Sequence, residues 1–155
     1  MILADAWHHR LLVWRRVPTA SDTPPDYALG QPDLDSVGAN RGFDAVASGL
    51  YWPFGIAFID GMLLVADTGN RRVVGWRGVL GADRAFDLVL GQPTPLAREE
   101  NRGGAVNARS FRWPHAIAGS GAQLFVADAG NHRILGWRPR PAGDPWPWPI
   151  RATIG

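Results

Sequence analysis

Residues 65–76 read VADTGNRRVVGW, and the phrase returns as VADAGNHRILGW at 126–137 and, more loosely, as LADAWHHRLLVW at 3–14. One copy alone has the makings of an active site: a carboxylate at Asp67, a glycine turn and two arginines. Three copies ask instead what a repeated element builds. Asp5, Asp67 and Asp128 fall 62 and 61 residues apart, and Trp14, Trp76 and Trp137 keep the same spacing. LGQP at 29–32 and 90–93, NRG at 40–42 and 101–103, and WP at 52–53 and 113–114 stay in step. Self-similarity at a fixed period marks a repeat architecture.

Within one period the signals are short strands between turns. GIAFI (55–59) precedes Asp60-Gly61, a dipeptide that suits a two-residue hairpin because both positions tolerate positive φ. MLLVAD (62–67), a turn at Thr68-Gly69-Asn70, RVVGW (72–76) and FDLVL (86–90) complete a four-stranded antiparallel meander. The second strand is apolar at consecutive positions, so both faces of its sheet are covered. No segment carries a long helical periodicity that could supply that cover. Neighbouring copies of the same sheet must do so, which predicts an all-β chain built as a β-propeller.

WPFGIAFIDGMLLVADTGNRRVVGW and WPHAIAGSGAQLFVADAGNHRILGW resemble NHL repeats, and the LGQPD stretch is similar to the start of the inter-blade segment in bacterial NHL-repeat proteins. The resemblance covers nearly the whole chain. It implies a partial NHL propeller over residues 1–155, with an incomplete blade at 1–30 that lacks its first strand. Complete blades follow at 53–91 and 114–155, joined by long segments at 30–53 and 91–114. The first copy departs from the pattern, since Trp7 and His8 stand where Gly69 and Asn70 do, and its turn is expected to take a different geometry.

The repeated polar residues read as structure. Asp5 with Arg10, Asp67 with Arg72 and Asp128 with Arg133 each face one another across a tight turn. Each pair is expected to form a turn clamp whose carboxylate also accepts backbone N–H groups of the turn. Gly69 and Asn70 are the residue types that accept left-handed backbone angles. The repeated tryptophans read as packing anchors between sheets. Both linking segments span 24 residues with NRG in register, so an ordered cap over one rim is expected, with Arg41 and Arg102 bonded inside it. Their variable tips, 33–36 and 98–100, are places for partner contact.

Function is sought where the copies differ. His115 follows Pro114 where the previous copy has Phe54. In enzymes related to the NHL-repeat family, notably the peptide-amidating lyases, a histidine after proline at this place lines the central channel and binds a metal, and the resemblance makes His115 a weak candidate ligand. A catalytic zinc site needs about three protein ligands, and one histidine at this level is too few. Trp146 and Trp148 alternate with prolines in DPWPWP, either as a contact surface or as a bend before a last strand at 150–155. No phosphate-binding glycine loop, G-x-S-x-G, HExxH or calcium loop is present. No cofactor is called for.

Composition bounds the remaining readings. The chain has 155 residues, 46% hydrophobic and 19% charged, which argues against a disordered chain. All 16 basic residues are arginine, yet the net charge is +2, and half of those arginines occupy repeat positions. RNA binding, known for some NHL propellers, is therefore disfavoured. The absence of cysteine removes disulfides and thiolate metal sites. No signal peptide or transmembrane segment is visible, which predicts a soluble chain of unassigned compartment. The favoured reading is a non-catalytic scaffold that binds a protein, peptide or other ligand. The alternative is part of a metal-dependent lyase or hydrolase. Roughly two and three-quarter blades make an arc, whereas a ring needs about four or more. Either a longer chain supplies the rest, the preferred reading because Met1 falls inside a repeat, or copies associate.

Overall fold

The computed structural model describes residues 1–42, 44–78, 80–120 and 123–137. They form three antiparallel sheets and, among the described residues, no α-helix. The first sheet holds β1 (Ile2–Asp5), β2 (Arg10–Val13) and β3 (Tyr27–Leu29) in that order. The middle sheet holds β4 (Pro53–Ile59), β5 (Met62–Asp67), β6 (Arg72–Arg77) and β7 (Leu88–Leu90), again in chain order. The third holds β8 (Pro114–Ser120), β9 (Gln123–Asp128) and β10 (Arg133–Trp137). Among the described residues the first sheet has no counterpart of β4 and β8. The last strand expected at 150–155, and Trp146 and Trp148, lie outside the described residues.

The local chemistry explains the strands. Asp60 and Gly61 both take positive φ, 49° and 72°, which is the hairpin geometry their residue types favour. Both β4 and β8 begin with proline, where the missing N–H costs no ladder bond, and in each the register slips just after it. The fourth strand is shorter than expected, starting at Leu88, because Phe86 turns aside and donates its N–H to Ala47 O at 2.9 Å.

Along β5 every residue is buried. Alternate side chains enter two different cores, as a period of two requires. Met62 and Leu64, with Val73, Leu88 and Leu90, pack against Leu124, Val126, Leu135 and Trp137 of the third sheet. Leu63 and Val65, with Val74 and Trp76, pack against Leu11, Val13 and Leu29 of the first. The middle sheet is thus covered on both faces by its neighbours, which explains its unbroken apolar run. Burying each such aliphatic side chain stabilises by about 1.5–3 kcal/mol. Trp76 and Trp137 are fully buried, edge-on to Phe86 and Phe111, while Trp14 is half-exposed.

Candidate interaction rim

The acid–base pairs form in all three sheets. Arg72 Nε meets Asp67 Oδ2 at 2.6 Å, Arg133 Nε meets Asp128 Oδ2 at 2.9 Å, and Arg10 Nε meets Asp5 Oδ2 at 2.8 Å. Sequence led us to expect the carboxylates to accept N–H groups of the turn; Asp67 and Asp128 accept them instead from the chain leading into the sheet. Tyr51 N–H donates to Asp67 Oδ1 at 2.7 Å, and Arg112 N–H to Asp128 Oδ1 at 2.9 Å. The guanidinium extends the same linkage. Arg72 Nη2 donates to Gly49 O at 2.9 Å and Nη1 to Pro95 O, so one buried cation ties the linking segment before its sheet to the one after. Arg133 donates to Ser110 O at 2.7 Å and Asn107 O at 2.9 Å. Arg10 reaches Leu34 O, the repeat equivalent of Pro95. Burial pushes the Asp67 carboxyl above its ordinary range, against the opposing pull of Arg72, Asn70 and the Tyr51 N–H.

The linking segments are held by amides that the motif reading left without a role. Asn40 and Asn70 exchange side-chain hydrogen bonds at 3.0 and 2.7 Å, and Asn101 and Asn131 repeat the pair at 3.3 and 2.8 Å. Gln31 Nε2 donates to Gly38 O at 2.8 Å, and Gln92 Nε2 to Glu99 O at the same distance. These are the Asn of NRG and the Gln of LGQP. Their recurrence in step was the available signal. In each NRG both the Asn and the Arg sit at left-handed φ, 51° and 67° in the first and 49° and 61° in the second. Such backbone persists only where its surroundings over-determine it, and the Asn–Asn pairs supply that constraint. Arg41 also bonds Ser48 Oγ and Asp83 at 2.6 Å each. Arg102 is exposed, and its side chain has no partner among the described residues. Arg98 of the second segment pairs with Asp44 of the first at 2.6 Å. At the tip of the first segment, hydrogen bonds from Ser36 hold the Asp33 carboxyl below its usual range.

Two expectations about the turns need correction. The left-handed residue is not Gly69 or Asn70 but Arg71 (φ 53°), and likewise His132 (53°) and His9 (57°), each closing a short 3-10 turn. Gly69 is required for space, since a Cβ there would lie 2.4 Å from the Tyr51 ring. Nor does the first copy take a different geometry: its turn over Ala6–His8 ends in the same left-handed cap. The position equivalent to Gly69 is Trp7, which stands 75% exposed.

That substitution creates the asymmetric feature of the molecule. Trp7 meets Trp52 edge to face at 6.3 Å between ring centres, and Trp52 lies against Tyr51 at 4.7 Å. Trp52 itself takes φ 52°, whereas its repeat equivalent Trp113 does not take positive φ. A bulky aromatic residue there is a genuine conformational outlier. His9 packs on Tyr51 at 5.1 Å, and its Nδ1 accepts the Trp52 N–H at 3.2 Å. Burial, with His8 nearby, lowers the His9 pKa below 6.5 against the attraction of Asp67 and Asp5. Phe54 and His115 stack at 4.4 Å with 21° between their planes. Pro53 pairs with Asp67 and Pro114 with Asp128 in the ladders, which places these aromatic residues at the end of the sheets that carries the turns. Trp113 is 48% exposed there, with the Arg112 guanidinium 5.3 Å from its ring centre.

Of the residues singled out from sequence, Phe54 and His115 therefore meet on this rim, while Arg41 works inside a linking segment. Among the described residues no three metal-ligating side chains gather, and no helix is long and apolar enough to cross a membrane. No protein-family model and no curated protein matches the chain.

Proposed function

We propose that this chain is part of an NHL-type β-propeller that acts as a non-catalytic scaffold and binds a protein or peptide segment on its aromatic rim. The observation that carries the reading is the strained, half-exposed Trp52 beneath the open Trp7. The acids and arginines of the three turn clamps and the repeated Asn and Gln amides are occupied with intramolecular bonds, whereas these aromatic faces are turned outward at one end of the stack. Backbone strain clusters where a surface is shaped for a ligand, and tryptophan anchors carry a large share of interface energy. Phe54 and His115 extend the same surface toward Trp113.

The test is selection of peptides from a displayed library on the immobilised chain, repeated with Trp7→Ala and Phe54→Ala. Enriched peptides whose binding drops at least tenfold in both variants support the rim. Failure to enrich any peptide, or binding indifferent to both substitutions, contradicts it. Elemental analysis of the purified protein runs alongside. A stoichiometric metal would transfer support to the metal-dependent enzyme reading with His115 as one ligand.

A further inference from the structure

The repeat supplies its own control for the strained Trp52. Trp52 and Trp113 are equivalent, and the frame around them is the same. Each precedes the proline that starts a strand. The carbonyl of each accepts one N–H from the turn beside that strand, Thr68 to Trp52 O at 3.2 Å and Ala129 to Trp113 O at 2.9 Å. Yet Trp52 takes φ 52° and Trp113 no positive φ. A following proline favours extended backbone, so Trp52 is the member of the pair that is held away from its preference. What differs is the turn one repeat back. In the first copy its left-handed cap is His9, whose Nδ1 accepts the Trp52 N–H at 3.2 Å. In the second the cap is Arg71, whose side chain offers donors and no acceptor.

A ring nitrogen that accepts an N–H carries no proton, whereas both nitrogens of an imidazolium donate. Protonated His9 therefore presents Trp52 with what Arg71 presents at the equivalent position, a cation without a lone pair. We infer that His9 is an acid-sensitive latch: its protonation releases Trp52 from left-handed backbone toward the conformation of Trp113 and so reshapes the aromatic rim. The groups around the ring come from both sheets. Asp5 pairs with Arg10 and His8, and Asp67 of the middle sheet pairs with Arg72, so both nearby acids already serve other partners. The Tyr51 ring packs edge-on to His9 at 5.1 Å. Burial is the largest influence on the imidazole and His8 adds to it, against Asp67 and Asp5, which puts the transition below pH 6.5. Control of ligand binding by this latch rests on the peptide-binding reading of the rim. The latch itself does not.

Nuclear magnetic resonance of the free chain tests it. Positive φ brings a residue's own HN and Hα close and gives a strong Overhauser effect between them. At neutral pH Trp52 is expected to show that effect and Trp113 to lack it. On acidification the Trp52 effect is expected to fall to the Trp113 level with the midpoint at which the His9 ring titrates. His9→Arg copies the residue that caps the second turn and is expected to abolish the effect at every pH. His9→Asn, which tolerates left-handed backbone and keeps an acceptor that does not titrate in this range, is expected to retain it at every pH. A Trp52 effect unchanged through the His9 titration, or one that survives in His9→Arg, overturns the inference. Because the readout needs no ligand, failure to select any peptide contradicts the rim reading and not the latch.

Discussion

Replacing Asp67 by alanine is the sharpest perturbation of the stack. Its two carboxylate oxygens accept three donors, from Tyr51 N–H, Asn70 and Arg72, at 2.7, 2.8 and 2.6 Å. Both members of the ion pair are fully buried. Removing the acid leaves the Arg72 cation enclosed without its counter-charge, a change that costs about 3–5 kcal/mol in comparable buried pairs. For a chain of this length that is a fall of about 6–20 °C in Tm, at about 2–4 °C per kcal/mol. The same substitution at Asp5 removes a pair whose side chains are 13% and 19% exposed and whose carboxylate is shared with His8. Pairs open to solvent contribute about 0–1 kcal/mol, so Asp5→Ala is expected to lie toward that lower range. Urea denaturation of both variants, with Arg72→Ala to complete a double-mutant cycle, measures the difference. Equal losses at the two sites, or a coupling between Asp67 and Arg72 below about 0.5 kcal/mol, would refute the assignment of these residues as a buried brace.

Other consequences are as direct. Gly69→Ala places a methyl against the Tyr51 ring and is expected to cost about 1–3 kcal/mol, the usual range for overpacking. Gly130→Ala meets only the flexible methylenes of Arg112 and is expected to cost less, so thermal melts that rank the two the other way contradict the steric account. Asn70→Ala leaves the buried Asn40 amide without its partner and is expected to cost about 1–3 kcal/mol in chemical denaturation. For His9 the folded pKa lies below the unfolded 6.5. Its stabilising contribution is therefore complete above that value and is lost as pH falls toward the folded pKa. His9→Asn, which tolerates the left-handed backbone, is expected to flatten the decline of Tm between neutral and mildly acidic pH, and an unchanged slope would exclude that role.

Much of the fold could be read from local chemistry. Asp60-Gly61 names its own turn, and the consecutive apolar residues of β5 can be buried only if both faces of the sheet are covered, as Leu63 and Leu64 illustrate by entering different cores. The turns were harder, because the left-handed position is held by Arg71, His132 and His9, whose side chains advertise no such preference. Gly69 misled for the opposite reason: its need for a missing Cβ comes from Tyr51, a contact between distant parts of the chain. The amide pairs join residues 30 apart, so recurrence signals their importance without revealing the partner. Of the proposed rim, the sequence singles out Phe54 and His115, where the copies visibly differ. It does not single out Trp7 and Trp52, whose contact exists only once the first turn is stacked beside the start of β4.

Native-state hydrogen exchange tests most directly the central claim, that the repeated polar residues lock the linking segments to the stacked sheets. The amides of Asn40, which donates to Leu50 O, and of Tyr51, which donates to Asp67, are expected to be protected nearly as well as those of Leu64 and Val65. In Arg72→Ala the linking-segment amides are expected to lose protection first. Rapid exchange of Asn40 and Tyr51 in the wild-type chain, with β5 still protected, would contradict the account.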